Sequence, residues 1–98
     1  MSDAYGALGM VHLETGNHGE AINAYGRALA IEPKRAEFIA GRAAALSLRG
    51  SHTAALAKFE EALRLESDVF LWEPALKRYY DKSVSAINRL SDPNDKGT

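Results

Sequence analysis

The sequence lacks cysteine, lacks a clear excess of either charge, and lacks a continuous apolar run. Without cysteine it has neither a disulfide framework nor a cysteine-based zinc site, which suits a reducing compartment. A net charge of −1 on 98 residues provides no attraction to nucleic acid or to anionic lipid, so we expect neither as a partner. These absences predict a soluble, cytoplasmic protein. Its length of 98 residues predicts one small domain.

The first residues, "MSDAYGALGM", contain neither a basic start nor a long apolar stretch. We therefore expect neither a signal peptide nor a membrane span at this end. The sequence is equally consistent with a piece of a longer protein whose other domains lie outside it.

Two segments of the chain repeat each other with a shift of 34 residues. The segment "NHGEAINAYGRALAIEP" (17–33) aligns with "SHTAALAKFEEALRLES" (51–67), so that Tyr25 aligns with Phe59 and Ala28 with Ala62. Apolar residues recur in both segments at helical spacing, and strand alternation is absent. The pattern predicts two copies of one helix–turn–helix unit.

Turn signals separate the predicted helices. Gly16 and Gly50 stand where a helix needs a left-handed terminator. Asn17 with Glu20 three residues later reads as a capping box for the next helix, and Ser51 follows Gly50 in the same way. Pro33 ends the first unit, and the second resumes at about residue 36.

A fifth amphipathic helix is predicted after the repeats, because Leu76, Tyr80, Val84 and Ile87 follow at steps of three or four. Either Ser67 or Asp68 caps it, or Pro74 lies in its first turn with residues 68–73 forming a separate bend. We favour the start near Pro74. The resulting division is repeat one at 2–33, repeat two at 36–67, a helix at about 74–90 within a domain of residues 1–90, and a disordered tail at 91–98.

The period and its residues resemble the tetratricopeptide repeat. Repeat one matches the family pattern best, with Tyr5, Leu8, Gly9, Ala21, Tyr25, Ala28 and Pro33 in the expected places. The small residue Gly9 allows the helices of a hairpin to approach closely, while Tyr25 fills the space beside it. The resemblance implies an all-α superhelix: a solenoid of two antiparallel hairpins, closed by the fifth helix.

Family geometry also implies a concave groove, lined by the first helix of each hairpin, that binds a peptide or a helix. The residues that map to this groove are Asp3, Gly6, Met10, Leu13, Glu14, Glu37, Ala40, Gly41, Ala44 and Ser47, and on the last helix Arg78 is the residue expected to supply a cation to it. Because Gly6, Met10 and Gly41 occupy places where a carboxylate clamp needs Lys or Asn, we do not expect binding of a chaperone C-terminus. The lining either admits a peptide backbone or apolar helix face, or is small only for packing.

Aromatic residues concentrate near the C-terminus, where Phe70, Trp72, Tyr79 and Tyr80 lie close together in sequence. They either seal the end of the solenoid or contact a second copy of the chain, as in a homodimer.

The sequence offers no catalytic or cofactor motif. His12, His18 and His52 have no acidic partners at ligand spacing, so we predict neither metal nor cofactor and assign these residues to packing or turn hydrogen bonds. The favoured function is a protein–protein interaction module or scaffold without catalysis. Self-assembly is the alternative, and a regulatory fragment of a larger enzyme is a remote one.

Overall fold

The computed structural model describes residues 1–91, which form α-helices and one 3₁₀ turn and contain no strand. The tail predicted at 91–98 falls, apart from Ser91, outside the described residues. The elements in chain order are α1 (Ser2–Glu14), α2 (His18–Ile31), α3 (Ala36–Arg49), α4 (His52–Leu65), α5 (Val69–Trp72), the 3₁₀ turn (Pro74–Leu76) and α6 (Lys77–Ser91).

The helices pack as consecutive hairpins. Helix α1 packs against α2 and α3 against α4, while α3 also packs on α2 and α6 packs on both α3 and α4. Helix α3, the first helix of the second hairpin, therefore joins its hairpin to the first one, as in a repeat solenoid. The predicted all-α superhelix of two hairpins and a closing helix is confirmed.

Both hairpin turns have the same hydrogen-bonded geometry. Gly16 and Gly50 adopt φ of 82° and 95°, the left-handed conformation that a Cβ disfavours. The Gly16 N–H donates to the Leu13 carbonyl (3.2 Å), and the Asn17 N–H donates to the His12 carbonyl (2.8 Å). This pair of bonds defines a Schellman motif, and it recurs 34 residues later with Gly50 to Ser47 and Ser51 to Leu46.

The capping box predicted at Asn17 and Glu20 is wrong. Such a box needs the Asn17 backbone N–H as the donor to Glu20, but that N–H is already bonded to His12. The Asn17 side chain makes no cap and instead donates to Thr15 Oγ1 (3.2 Å). The bond that ends α1 thus uses the Asn17 N–H, so Glu20 has no donor there with which to form the capping box.

The Tyr25 ring lies between helices α1 and α3 and is 2% exposed. A Cβ added to Gly9 of α1 or to Gly41 of α3 would lie closer than 3.0 Å to ring atoms of Tyr25. The ring therefore contacts helix backbone on both sides. Three helices meet at this one side chain because two of them carry glycine there.

The C-terminal segment closes the second repeat. Val69, Leu76 and Tyr79 join the core of α3 and α4, and the ring of Phe59 lies 5.8 Å from that of Phe70 and 5.4 Å from that of Tyr80. These geometries are the tilted and edge-to-face arrangements that aromatic pairs favour. Residues 69–72 form a separate helical turn, and the 3₁₀ turn Pro74–Leu76 leads into α6, which begins at Lys77.

A buried chain of hydrogen bonds fixes α6 on the second hairpin. Ser47 Oγ donates to the Tyr79 carbonyl (3.0 Å), and Ser83 Oγ donates to Ser47 Oγ (2.7 Å). Each hydroxyl has one proton, and both protons are used in these two bonds. His52 Nδ1, 2.8 Å from Ser83 Oγ, therefore donates its N–H to the Ser83 oxygen. His52, which the sequence assigned to packing or a turn hydrogen bond, therefore bonds to Ser83 of α6 instead of within its turn.

We expect Gly41→Ala to destabilise the protein by about 1–3 kcal/mol, because its Cβ would overlap the Tyr25 ring. The control is Gly26→Ala in α2, where no atom lies within 4 Å of the added Cβ; helix propensity should raise its stability by about 0.5–1 kcal/mol. Urea unfolding followed by circular dichroism measures both changes. Stabilisation of both variants would contradict the proposed packing of Tyr25.

Candidate functional site

A cavity of about 300 Å³ opens on the face of α1 and α3. Helix α1 contributes most of its wall, α2 contributes one aromatic ring, α3 contributes its first turn, and the end of α5 closes one side. The lining residues are Asp3, Gly6, Ala7, Met10, Tyr25, Glu37, Phe38 and Glu73.

The cavity has an apolar wall, which the glycine in α1 shapes. A Cβ at Gly6 would lie closer than 3.0 Å to the Phe38 ring, so Phe38 packs directly on the α1 backbone. Met10 is half-buried and Ala7 is exposed along the same side. A slender apolar chain can therefore lie along this wall without displacing polar groups.

The rest of the lining is acidic. Asp3, Glu37 and Glu73 all border the cavity, and one cation, Arg35, lies beside two of them. The Arg35 guanidinium forms ion pairs with Asp3 (2.8 Å), with Glu32 (2.7 Å) and with Glu37. The hydrogen bond to Asp3 is the largest cause of the raised pKa of Arg35. One guanidinium is thus shared among three carboxylates, which leaves an excess of negative charge.

Glu73 has no ion-pair partner within residues 1–91. Its partial burial, then the negative charge of Glu37, and then a side-chain hydrogen bond with Glu37 raise the pKa of the Glu73 carboxyl. All three causes favour the protonated form over the charged form. The cavity therefore holds a carboxylate that a cation would stabilise.

The Tyr25 hydroxyl is the second unusual group in the cavity. No hydrogen bond joins it to another group in the described part of the chain, although the side chain is almost fully buried. Burial is the main cause of its raised pKa, followed by the charges of Glu73, Glu14 and Glu37. The hydroxyl therefore remains available to a ligand in the cavity that Glu37 and Glu73 also line.

The structure divides the predicted groove residues into three groups. Asp3, Gly6, Met10 and Glu37 line the cavity, and Gly41 lies directly behind the Tyr25 ring. Glu14 and Arg78 are exposed, and Arg78 donates a hydrogen bond to the Tyr79 hydroxyl (2.9 Å). Three of the remaining positions, Leu13, Ala40 and Ala44, lie in the core that also includes Leu76 and Tyr79. The last, Ser47, donates a hydrogen bond to the Tyr79 carbonyl. The C-terminal segment thus covers most of the α3 positions.

Two residues central to the cavity were not among the predicted groove positions. Glu73 lies outside both repeats, so the family geometry gave it no place, and Tyr25 was assigned to packing. The sequence did contain a sign that the Tyr25 hydroxyl is not needed for packing, because the equivalent place in the second repeat holds Phe59, which has no hydroxyl.

The four C-terminal aromatic residues also separate in the structure. Phe70, Tyr79 and Tyr80 pack against the core, whereas Trp72 is 72% exposed beside Leu71, which is 73% exposed. Trp72 borders a second cavity of about 320 Å³, which Leu65, Val69 and Lys34 also line.

The histidines form no metal site in the described residues, where no group of three or more potential ligands occurs. His18 Nδ1 is buried without a hydrogen-bond partner, in contrast to its repeat equivalent His52. Over residues 1–91 no helix is both long and apolar enough to cross a bilayer.

Residues 2–35 match the family model of the tetratricopeptide repeat. This span covers α1, the first Schellman turn and α2, and the resemblance predicted from the sequence is confirmed by it. Tetratricopeptide repeats are generally non-catalytic and mediate protein–protein interaction. Comparison with curated proteins and with solved structures found no match.

We expect Glu73→Gln to raise the melting temperature at pH 7 but not below pH 4.5, the ordinary carboxyl value. Because the pKa of Glu73 is higher in the folded chain, the folded state binds more protons at intermediate pH. The contribution of Glu73 to the free energy of unfolding therefore falls as pH rises through its folded-state pKa. Thermal melts at several pH values measure the effect. The exposed Glu60→Gln in α4 is the control, and an equal shift at all pH values would disprove the assignment.

Proposed function

We propose that this protein is a cytoplasmic protein–protein interaction module that binds a peptide segment of its partner in the groove between α1 and α3, without catalysis of its own. The cavity on these two first helices supports the proposal most directly. Four of the positions that the resemblance assigns to the groove line this cavity, namely Asp3, Gly6, Met10 and Glu37. The general role of the family points in the same direction.

The shape of the groove favours a peptide over a helix. Its α3 side is shortened, because Ala40 and Ala44 lie in the core with Leu76 and Tyr79. What remains open is the N-terminal turn of α3 and the adjoining stretch of α1 from Asp3 to Met10. A short extended segment with one anchoring side chain fits such a cavity, whereas an amphipathic helix needs a longer apolar groove.

Selection from a library of random peptides tests this proposal. Peptides captured by the wild-type protein should lose binding to Ala7→Trp, because an indole ring at this exposed position would fill the cavity. The matched control is Ala54→Trp, at an exposed position of α4 remote from the cavity, and it should bind as the wild type does. Circular dichroism checks that both variants fold. If no peptides are enriched, or if the enriched peptides bind Ala7→Trp equally well, the groove proposal is wrong.

Self-association is a second candidate function, favoured by the exposure of Leu71 and Trp72. Large apolar side chains that lie side by side on a surface often mark an interface. The other three C-terminal aromatic residues pack internally, so this candidate depends on Trp72 and its neighbour.

We expect light scattering across a concentration series to separate the two candidates. If the chain dimerises through this patch, Trp72→Ala should return it to the 10.6 kDa monomer because a large anchoring surface is lost. Leu90→Ala removes another exposed apolar residue, 82% exposed on α6, and should leave the dimer intact. A wild-type monomer at every concentration would exclude self-association.

A further inference from the structure

We propose that the cavity between α1 and α3 accepts the side chain of a lysine or arginine residue of the bound peptide. This inference rests on the proposed function and names the chemistry that its groove would recognise. It depends on the combination of an apolar wall, an excess of carboxylates and a tyrosine hydroxyl at the cavity that no group of residues 1–91 bonds.

The charge around the cavity favours a cation. Asp3, Glu37 and Glu73 border it, and Arg35 compensates only the first two while also pairing with Glu32. An arriving ammonium or guanidinium group would pair with Glu73 and relieve its repulsion with Glu37. A carboxylate ligand would instead meet like charge and pay its desolvation without a partner. The sign of the field thus excludes the acidic tail that a carboxylate clamp binds.

The Tyr25 hydroxyl is an independent indication of a donor ligand. The side chain is 2% exposed, and its ring position is fixed by Gly9 and Gly41, so the hydroxyl is held at the cavity. It lines the cavity and lacks a hydrogen-bond partner in residues 1–91. Its oxygen can accept a hydrogen bond from a lysine or arginine N–H. Packing alone does not require this hydroxyl, because the equivalent residue in the second repeat is Phe59.

The apolar wall suits the stem of the same side chain. Ala7, Met10 and Phe38 line the cavity beside the carboxylates. Lysine and arginine bury their methylene groups on apolar surface while the charged end reaches a polar group. A purely apolar side chain would leave Glu73 and the Tyr25 hydroxyl unpaired and desolvated, which costs binding free energy.

Three capped pentapeptides test the inference, with Lys, Arg or norleucine between pairs of alanines. Norleucine retains the apolar stem of lysine and removes the charge. Titrations followed by ¹⁵N–¹H chemical shifts should show the Lys and Arg peptides shifting the amides of Gly6 and Glu37. The norleucine peptide should bind about tenfold more weakly, because it lacks the charge-assisted hydrogen bonds.

Variants of the protein assign the effect to the cavity. Glu73→Gln should weaken the Lys peptide by about tenfold and leave the norleucine peptide unchanged. Tyr25→Phe keeps the ring that the fold needs and should weaken the Lys peptide by about threefold through loss of one acceptor. The control Glu60→Gln should change neither affinity. Thermal melts confirm that each variant is folded.

The outcomes separate this inference from the proposed function. If peptides sensitive to Ala7→Trp are selected but the norleucine peptide binds as tightly as the Lys peptide, the groove proposal stands and the basic-side-chain inference is overturned. The same holds if Glu73→Gln weakens both peptides equally, or if the basic peptides shift amides only outside the cavity. If no peptide is sensitive to Ala7→Trp, both are wrong.

Discussion

The contact of one tyrosine ring with two helix backbones determines how the two repeats meet. Tyr25 belongs to α2, yet its ring touches α1 at Gly9 and α3 at Gly41, so it joins the two helices of its own hairpin to the first helix of the next. Because the glycines leave no room to adjust, the spacing of the three helices is set by the thickness of the ring. The same packing leaves the hydroxyl end of the ring at the cavity, so the fold positions a polar group through an apolar contact.

The C-terminal segment covers the second hairpin and at the same time limits the groove. Each hairpin of a solenoid exposes an apolar face that needs a neighbour. Here that neighbour is α5, the 3₁₀ turn and α6, held by Leu76, Tyr79 and the hydrogen bonds between Ser47 and Ser83. This covering buries Ala40 and Ala44. Glu73, between α5 and the 3₁₀ turn, then lies at the edge of the cavity that remains open. The closure of the array therefore supplies part of the proposed binding site.

The helix pattern, the 34-residue period and the two left-handed glycines were predictable from the sequence because each depends on local backbone chemistry. The close approach at Gly9 was also predictable, since a small residue opposite Tyr25 recurs as Ala43 opposite Phe59. The capping box failed because the Schellman bond competes for the Asn17 N–H, a choice that residue types alone do not decide. The acidic cavity was not predicted because Asp3, Glu37 and Glu73 come from separate elements, and only the packing of α5 against α3 brings Glu73 to the others.

The cavity contains two groups, the Tyr25 hydroxyl and the Glu73 carboxyl, that the packing of the helices does not require. At the tyrosine position a phenylalanine would fill the same space, as Phe59 does in the second repeat, so packing does not require the hydroxyl that Tyr25 carries at the cavity. Glu73 sits where its charged form is disfavoured by burial and by Glu37. The charged form of Glu73 therefore costs stability in the free protein, and the entry of a cation would stabilise it. Because the two groups border one opening and a single basic side chain can bond to both, the proposed binding of lysine or arginine would explain the two features together.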